Sequence, residues 1–228
     1  MNEKENLQIM KSANNYNRWI YDNIKEHTGK TILEIGSGMG AMTTFFENKT
    51  LVGLDVDSKA VKALNKKYNN NPDMVFFNID LSKTLGHLSP ESFDTALCIN
   101  VLEHVLDDQA MLNNIHAVLK RKGKLVLMVP AFPLIYGSID KADNHYRRYT
   151  KKDLQKKLGE ANFNIEHSTY MNTPGFFGWV YHGKILKLDT HNPKDIGLFD
   201  KLAPTFQKIE SIIPPMFGLS IITITQKK

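Results

Sequence analysis

The stretch Thr31–Gly40 reads TILEIGSGMG, an apolar run that passes straight into three glycines at alternate positions. Ile32, Leu33 and Ile35 flank Glu34 in a segment short and branched enough for a strand buried on both faces of a parallel sheet. Gly36, Gly38 and Gly40 let the chain turn tightly and bring its backbone close to a ligand, where a Cβ would collide. The residues that follow, Ala41 to Glu47, read as a helix, which would aim exposed N–H groups at that ligand.

Further along, three more strand-like runs end in polar groups. Leu51-Val52-Gly53-Leu54 ends in Asp55, nineteen residues after Gly36, where an acid at the tip of the next parallel strand can accept ribose hydroxyls. Met74-Val75-Phe76-Phe77 leads to Asn78-Ile79-Asp80, whose carboxylate could take a proton from an adenine amine. Phe93 to Ile99 leads to Asn100-Val101-Leu102-Glu103-His104. Together these tips point to an adenosine site at the carboxyl edge of a sheet, at its switch point. The third glycine follows the second by two residues, whereas the dinucleotide fingerprint needs three, so a nicotinamide oxidoreductase fits poorly.

From about Asn14 to its end the chain resembles the class I S-adenosylmethionine-dependent methyltransferases. Glu34-Ile35-Gly36-Ser37-Gly38-Met39-Gly40 looks like that family's first motif, Asp55 like its ribose-binding acid and Asp80 like its adenine-binding acid. The segment INVLEHVLDDQAMLNNIHAVLKRKGKLVL is similar to its fourth-strand motif, helix and fifth strand. The resemblance implies a Rossmann-like α/β fold: a seven-stranded, mostly parallel sheet with an antiparallel last strand and helices on both faces. It implies S-adenosylmethionine as cofactor and S-adenosylhomocysteine as product. It places Glu34, Gly36, Ser37, Gly38, Gly40, Asp55, Val56, Ile79, Asp80, Leu81, Asn100 and Val101 around that cofactor, with Tyr16, Arg18 and Trp19 of a cap helix near its methionine end.

With 228 residues, 42% of them hydrophobic, the chain can bury one core and reads as a single domain, 1–228. Its net charge of +5 comes from lysines scattered along the chain, the pattern of a solvated surface rather than of a nucleic-acid groove. The one cysteine, Cys98, falls in a strand expected to be buried, and one cysteine cannot bind an iron–sulfur cluster for radical use of the cofactor. With no N-terminal apolar signal and no long apolar span, the expected location is cytoplasmic.

Residues 1–11 read as frayed, and a cap helix is expected over about 12–28. Ser58 is the expected cap of a helix over 59–68, Asp107 and Asp108 open one that runs to Leu119, and Lys122-Gly123 turns into a strand over 124–129. Thr150 caps the helix Lys151 to Ala161, and strands are expected over 164–171 and 220–225. An insertion over about 173–218, with Phe176, Phe177, Trp179 and Tyr181, separates the last two strands; its second half, Leu198 to Ile213, has helical spacing. A lid over the acceptor site and a dimer interface both explain it, leaving monomer and homodimer open.

The chemical groups concentrate in Asp140–Tyr149. Two of only four arginines, Arg147 and Arg148, adjoin there and suit an anionic group. In an extended segment they point opposite ways, so one can hold the acceptor while the other anchors the loop. The same passage resembles a subset of bacterial methyltransferases in which it lies over the acceptor end of the pocket. Tyr136, His145, Arg147, Arg148 and Trp179 are the candidate acceptor contacts, and His145 or His104 the proton acceptor. No histidine pair at helix ligand spacing is backed by acids, so no metal is expected. Asn100-Val101-Leu102-Glu103 stands where amino-adenine methylation of DNA would need an Asn/Asp-Pro-Pro-aromatic loop. The reading is methyl transfer to oxygen or nitrogen of a small anionic or ring-bearing molecule, lipid-linked or at a membrane if the insertion's aromatics face outward. The alternatives are an RNA or protein methyltransferase, or a non-catalytic S-adenosylmethionine-binding protein.

Overall fold

The computed structural model describes residues 13–84, 86, 88–188, 190 and 193–228; the expectation of a frayed 1–11 lies outside them. Seven strands form one sheet: β1 Thr31–Ile35, β2 Thr50–Asp55, β3 Met74–Asn78, β4 Phe93–Ile99, β5 Leu119–Pro130, β6 Phe163–Met171 and β7 Ser220–Lys227. Their order is β3-β2-β1-β4-β5-β7-β6, with β7 antiparallel to both of its neighbours and the other pairings parallel. The chain starts at the middle, goes out to β3 and returns to β4. The crevice between β1 and β4 is therefore the switch point, and the glycine turn leaves β1 at its mouth.

Period-two alternation sends each strand's side chains into two cores. Leu33 and Ile35 of β1, with Leu125, Leu127 and Val129 of β5, join the core under α3 Asp108–Val118 and α5 Lys151–Glu160. Ile32, Val126 and Met128 face the other core, with Ile20 and Ile24 of α1 Asn14–Ile24 and Leu64 of α2 Ser58–Lys67. Three more helices complete the chain: the short α4 Ser138–Ala142 in the loop after β5, and in the insertion the short α6 Thr173–Trp179 and the 20-residue α7 Pro193–Ile212. A turn of π-helix, Val180–Ile185, follows α6.

Several local expectations shift. Behind the glycines there is one 3₁₀ turn, Thr43–Phe46, in place of a helix over 41–47. Its two threonines disfavour continued helix, and Phe46 is drawn into the core. Asp57, not Ser58, caps α2, accepting from the Lys59 N–H. β5 starts at Leu119 rather than 124, because Lys122 takes a positive φ of 62° and the strand passes through as a bulge opposite Phe93 and Thr95. α7 starts five residues before the expected 198–213, and among the described residues no helix is long and apolar enough to cross a membrane.

Candidate active site

The glycine turn is held from below by β2. The N–H groups of Gly36 and Ser37 both donate to the Leu54 carbonyl, at 2.8 and 2.9 Å. Asp55, at the tip of β2, accepts from Gly38 N–H at 2.7 Å and from Asp57 N–H at 2.8 Å. Its carboxylate thus fixes the turn, and its second lone pairs remain available for a ligand's hydroxyls. Asp80, after β3, is turned into its own loop: Oδ1 accepts from the Ser82 hydroxyl at 2.6 Å, and Lys83 pairs with Oδ2 at 2.9 Å. These partners hold its carboxyl below the usual carboxylate range against the opposing effect of burial.

The turn opens into a cavity of about 290 Å³, floored by Gly36, Ser37 and Gly38, with Tyr16 on one side and Asn100 and Trp179 on others. Gly36 and Gly38 have φ of 71° and 48°. A Cβ on Gly36 would run into Val101 Cγ2, whereas one on Gly38 would meet nothing closer than 4.0 Å. Glu34 is a buried member of the wall, accepting from the Thr43 hydroxyl at 2.6 Å. Burial, and secondarily the charge of Asp55, pushes its carboxyl up to about 8.

At the far end Asp140 is a fully buried hub. Oδ1 accepts from Arg148 Nε at 2.7 Å and faces His145 Nδ1 at 3.0 Å; Oδ2 accepts from Trp179 Nε1 at 3.1 Å and Gly137 N–H at 2.9 Å. His145 foremost, with Arg148, keeps Asp140 below the usual range despite burial. An ionised carboxylate only accepts, so Nδ1 of His145 carries a proton, and in the neutral imidazole Nε2 would be the nitrogen with the lone pair. Arg148 also donates Nη1 to the Ala131 carbonyl at 3.0 Å, while its Nη2 is buried with no partner. Glu103 Oε2 is likewise buried and unpartnered. Burial pushes Glu103 up to about 7, against the pull of His145. His104 meets His145 edge to face at 4.7 Å, and burial lowers it to about 4. Glu103, His104, His145 and Arg148 all line the cavity.

The structure divides the expected site residues. Tyr16, Glu34, Gly36, Ser37, Gly38, Asn100, His104, His145, Arg148 and Trp179 converge on the cavity. Asp55, Val56, Ile79 and Asp80 stand outside it along the carboxyl edge, with Val56 well exposed. Gly40, Leu81 and Val101 play supporting parts: Gly40 N–H donates to the Ser37 carbonyl, Leu81 belongs to the core and Val101 braces Gly36. Trp19 is in the core beside Tyr16, and Arg18 lies over the rings of Tyr21 and Phe45. Tyr136 gives its hydroxyl to the His145 carbonyl. Arg147 turns away, pairing with Asp108 at 2.8 Å and donating to the Leu106 carbonyl. Of the two arginines, then, Arg148 faces the cavity and Arg147 anchors the loop.

Glu103 and Asp140 were not singled out from the sequence as site residues. Glu103 stood beside His104 and Asp140 headed the loop, but their meeting depends on the loop folding back, with Tyr146 N–H donating to the Glu103 carbonyl at 2.8 Å. The same folding brings ligand atoms of Glu103, His104 and His145 within 4.8 Å of one another, close enough to hold a cation. Helix spacing, on which the expectation of no metal rested, cannot register a group drawn from two loops.

Comparison with known proteins agrees with this architecture. Residues 33–125 match the family described as a methyltransferase domain. The chain is 29% identical over 109 residues to a ubiquinone biosynthesis O-methyltransferase of Paracidovorax citrulli, and 24% identical over 156 residues to one of Idiomarina loihiensis. Those matches cover 46% and 60% of this chain and only 45% and 64% of the relatives' own length. Among solved structures, the Burkholderia thailandensis 1,6-didemethyltoxoflavin-N1-methyltransferase, with S-adenosylhomocysteine bound, superposes with a TM-score of 0.60 at 17% identity, over 96% of this chain and 78% of that one. A cyclase has the same fold with a TM-score of 0.63 at 16% identity, over 92% and 80%. The fold is the one these solved structures share, and residues 33–125 are similar to a methyltransferase domain.

Proposed function

We propose that this protein transfers a methyl group from S-adenosylmethionine to an oxygen of a small molecule that bears a second polar group beside it. The observation that carries the reading is the pairing, in one cavity, of a glycine cradle with two buried unpartnered polar atoms, Glu103 Oε2 and Arg148 Nη2.

The residues fit the cofactor. Gly38 leaves open the space a Cβ would fill, and the buried Glu34 carboxyl would accept from the ammonium of the methionine end. Asp55 would accept from the ribose hydroxyls, and the exposed Val56 would meet the adenine face. When bound, S-adenosylmethionine supplies a methyl on a positively charged sulfur, which departs as a neutral thioether once the acceptor oxygen has formed its bond to the methyl carbon.

The chain's own work is alignment and proton handling. Arg148 Nη2 donates to one oxygen of the acceptor and Glu103 exchanges a hydrogen bond with the other; each atom would otherwise stay buried unpaired. His145 Nε2 takes the proton of the attacking hydroxyl, with Asp140 fixing the tautomer and stabilising the imidazolium. The role is assigned to His145 because burial lowers His104 to about 4, which makes it a weak proton acceptor near neutral pH. Trp179, standing over Arg148 at 4.5 Å, closes the acceptor end and excludes water. Oxygen is favoured over nitrogen by the O-methyltransferase relatives, and a small acceptor over RNA or protein by the walled cavity.

Label transfer from methyl-labelled S-adenosylmethionine into fractionated cell extract tests this. A labelled low-mass product is expected, and its formation should drop about 100-fold or more in His145→Ala while S-adenosylhomocysteine affinity is kept. Cofactor binding with no transfer to any fraction would instead identify a non-catalytic binding protein.

A further inference from the structure

Helix α7 is apolar on two sides. Its inner side, with Phe199, Ala203 and Phe206, packs against the core around Tyr16. Leu198, Leu202, Ile209 and Ile212 recur at helical spacing on another face, and all are exposed, at 61%, 43%, 52% and 71%. The chain continues this surface through Ile213 and Met216, 67% and 90% exposed, to Phe217, whose ring meets exposed Phe177 at 5.7 Å.

Charge around the stripe is sorted. Exposed Lys201 and Lys208 each precede a stripe residue and flank it on one side. The acids are used elsewhere: Asp200 accepts from Tyr16 N–H at 2.9 Å, Glu210 from the N–H groups of Asn172 and Thr173 at 3.1 and 2.8 Å, and Asp195 lies beside His182. A second copy would bring the same lysines and no matching acids. An apolar stripe edged with lysines is the surface that settles into the headgroup layer of an anionic bilayer, where each lysine adds attraction.

We infer that the outer face of α7 and the adjoining turn Ile213–Phe217 rest on an anionic phospholipid bilayer. The acceptor end then lies next to the membrane, since Leu219, two residues beyond Phe217, lines the cavity with Trp179. An acceptor carried on a lipid or dissolved in the bilayer could reach the site from there. The surface claim stands apart from the methyl-transfer reading, and only its consequence for the acceptor draws on it.

The full chain can be floated with phosphatidylglycerol–phosphatidylcholine vesicles and with pure phosphatidylcholine vesicles, with S-adenosylhomocysteine affinity measured in parallel. Binding to the anionic vesicles, weakened by salt, is expected. Lys201→Ala with Lys208→Ala should weaken it by about 30-fold, and Leu202→Glu with Ile209→Glu should abolish it, both with unchanged ligand affinity. These side chains are exposed, so folding should survive, and a retained thermal midpoint would confirm it. Wild-type protein that stays with the unbound fraction overturns the inference, as does equal binding to neutral vesicles. Concentration-dependent dimerisation lost in Leu202→Glu/Ile209→Glu, without vesicle binding, overturns it in favour of a self-interface. Failure of ligand binding with intact vesicle binding would count only against the methyl-transfer reading.

Discussion

Gly36 and Gly38 both hold positive φ, yet a side chain should do different harm at each. At Gly36 a Cβ meets Val101 and strains the backbone, so Gly36→Ala should destabilise the fold by about 1–3 kcal/mol. Gly38 borders open cavity, so Gly38→Val should keep more of the stability and lose the ligand; paired thermal melts and ligand titrations separate the two. The sequence placed both beside a ligand but could not say that one braces the turn and the other clears the cavity. Glu34 makes a second prediction. Its folded pKa is raised, to about 8, so its contribution to stability is full below the ordinary glutamate range and is lost as pH rises through about 8. Ligand-free protein should therefore melt at lower temperature as pH climbs from about 5 to 8, with Glu103 adding the same sign up to about 7. Glu34→Gln should flatten much of that slope; a slope unchanged by the substitution would show that Glu34 does not titrate there.

At the level of elements, the loop that carries His145 and Arg148 is secured by Asp108, the first residue of α3. It accepts from Arg147 at 2.8 Å, Lys157 of α5 at 2.7 Å and the Tyr149 hydroxyl at 3.0 Å. Asp108→Ala should cost about 2–4 kcal/mol, less than a fully buried pair because both cations keep some solvent. It should lower turnover by loosening the loop that carries His145, while S-adenosylhomocysteine affinity changes little; an equal loss of both would argue against a loop-specific anchor. The strands were legible because their apolar runs are short and end in turns, and α5 because Thr150 and Asp153 form a capping box. The segment after the glycines was misread as helix because periodicity does not reveal that Phe46 is pulled into the core. The sequence showed that Arg147 and Arg148 must diverge, but which one faces the cavity depended on where Asp108 and Asp140 came to lie.

Across the whole molecule, the polar tips of four strand-like runs pointed to a site at the switch point, while the seven-stranded sheet with its antiparallel last strand was legible only through the family resemblance. The insertion was different. Its aromatics announced burial or a surface without saying which, and only packing shows Trp179 inside the cavity, Phe177 outside and α7 bridging α1 to the exterior. Contacts among residues some 185 positions apart, such as Asn15 with Asp200, have no local signal. The central claim is that the cavity beyond β1 holds S-adenosylmethionine on its glycine floor. Calorimetric titration of the full chain with S-adenosylhomocysteine, repeated on Gly38→Val, tests it most directly. One-to-one binding by the wild type, abolished in a Gly38→Val protein that still melts cooperatively, is the predicted result. No binding by the wild type, or undiminished binding by Gly38→Val, would contradict it.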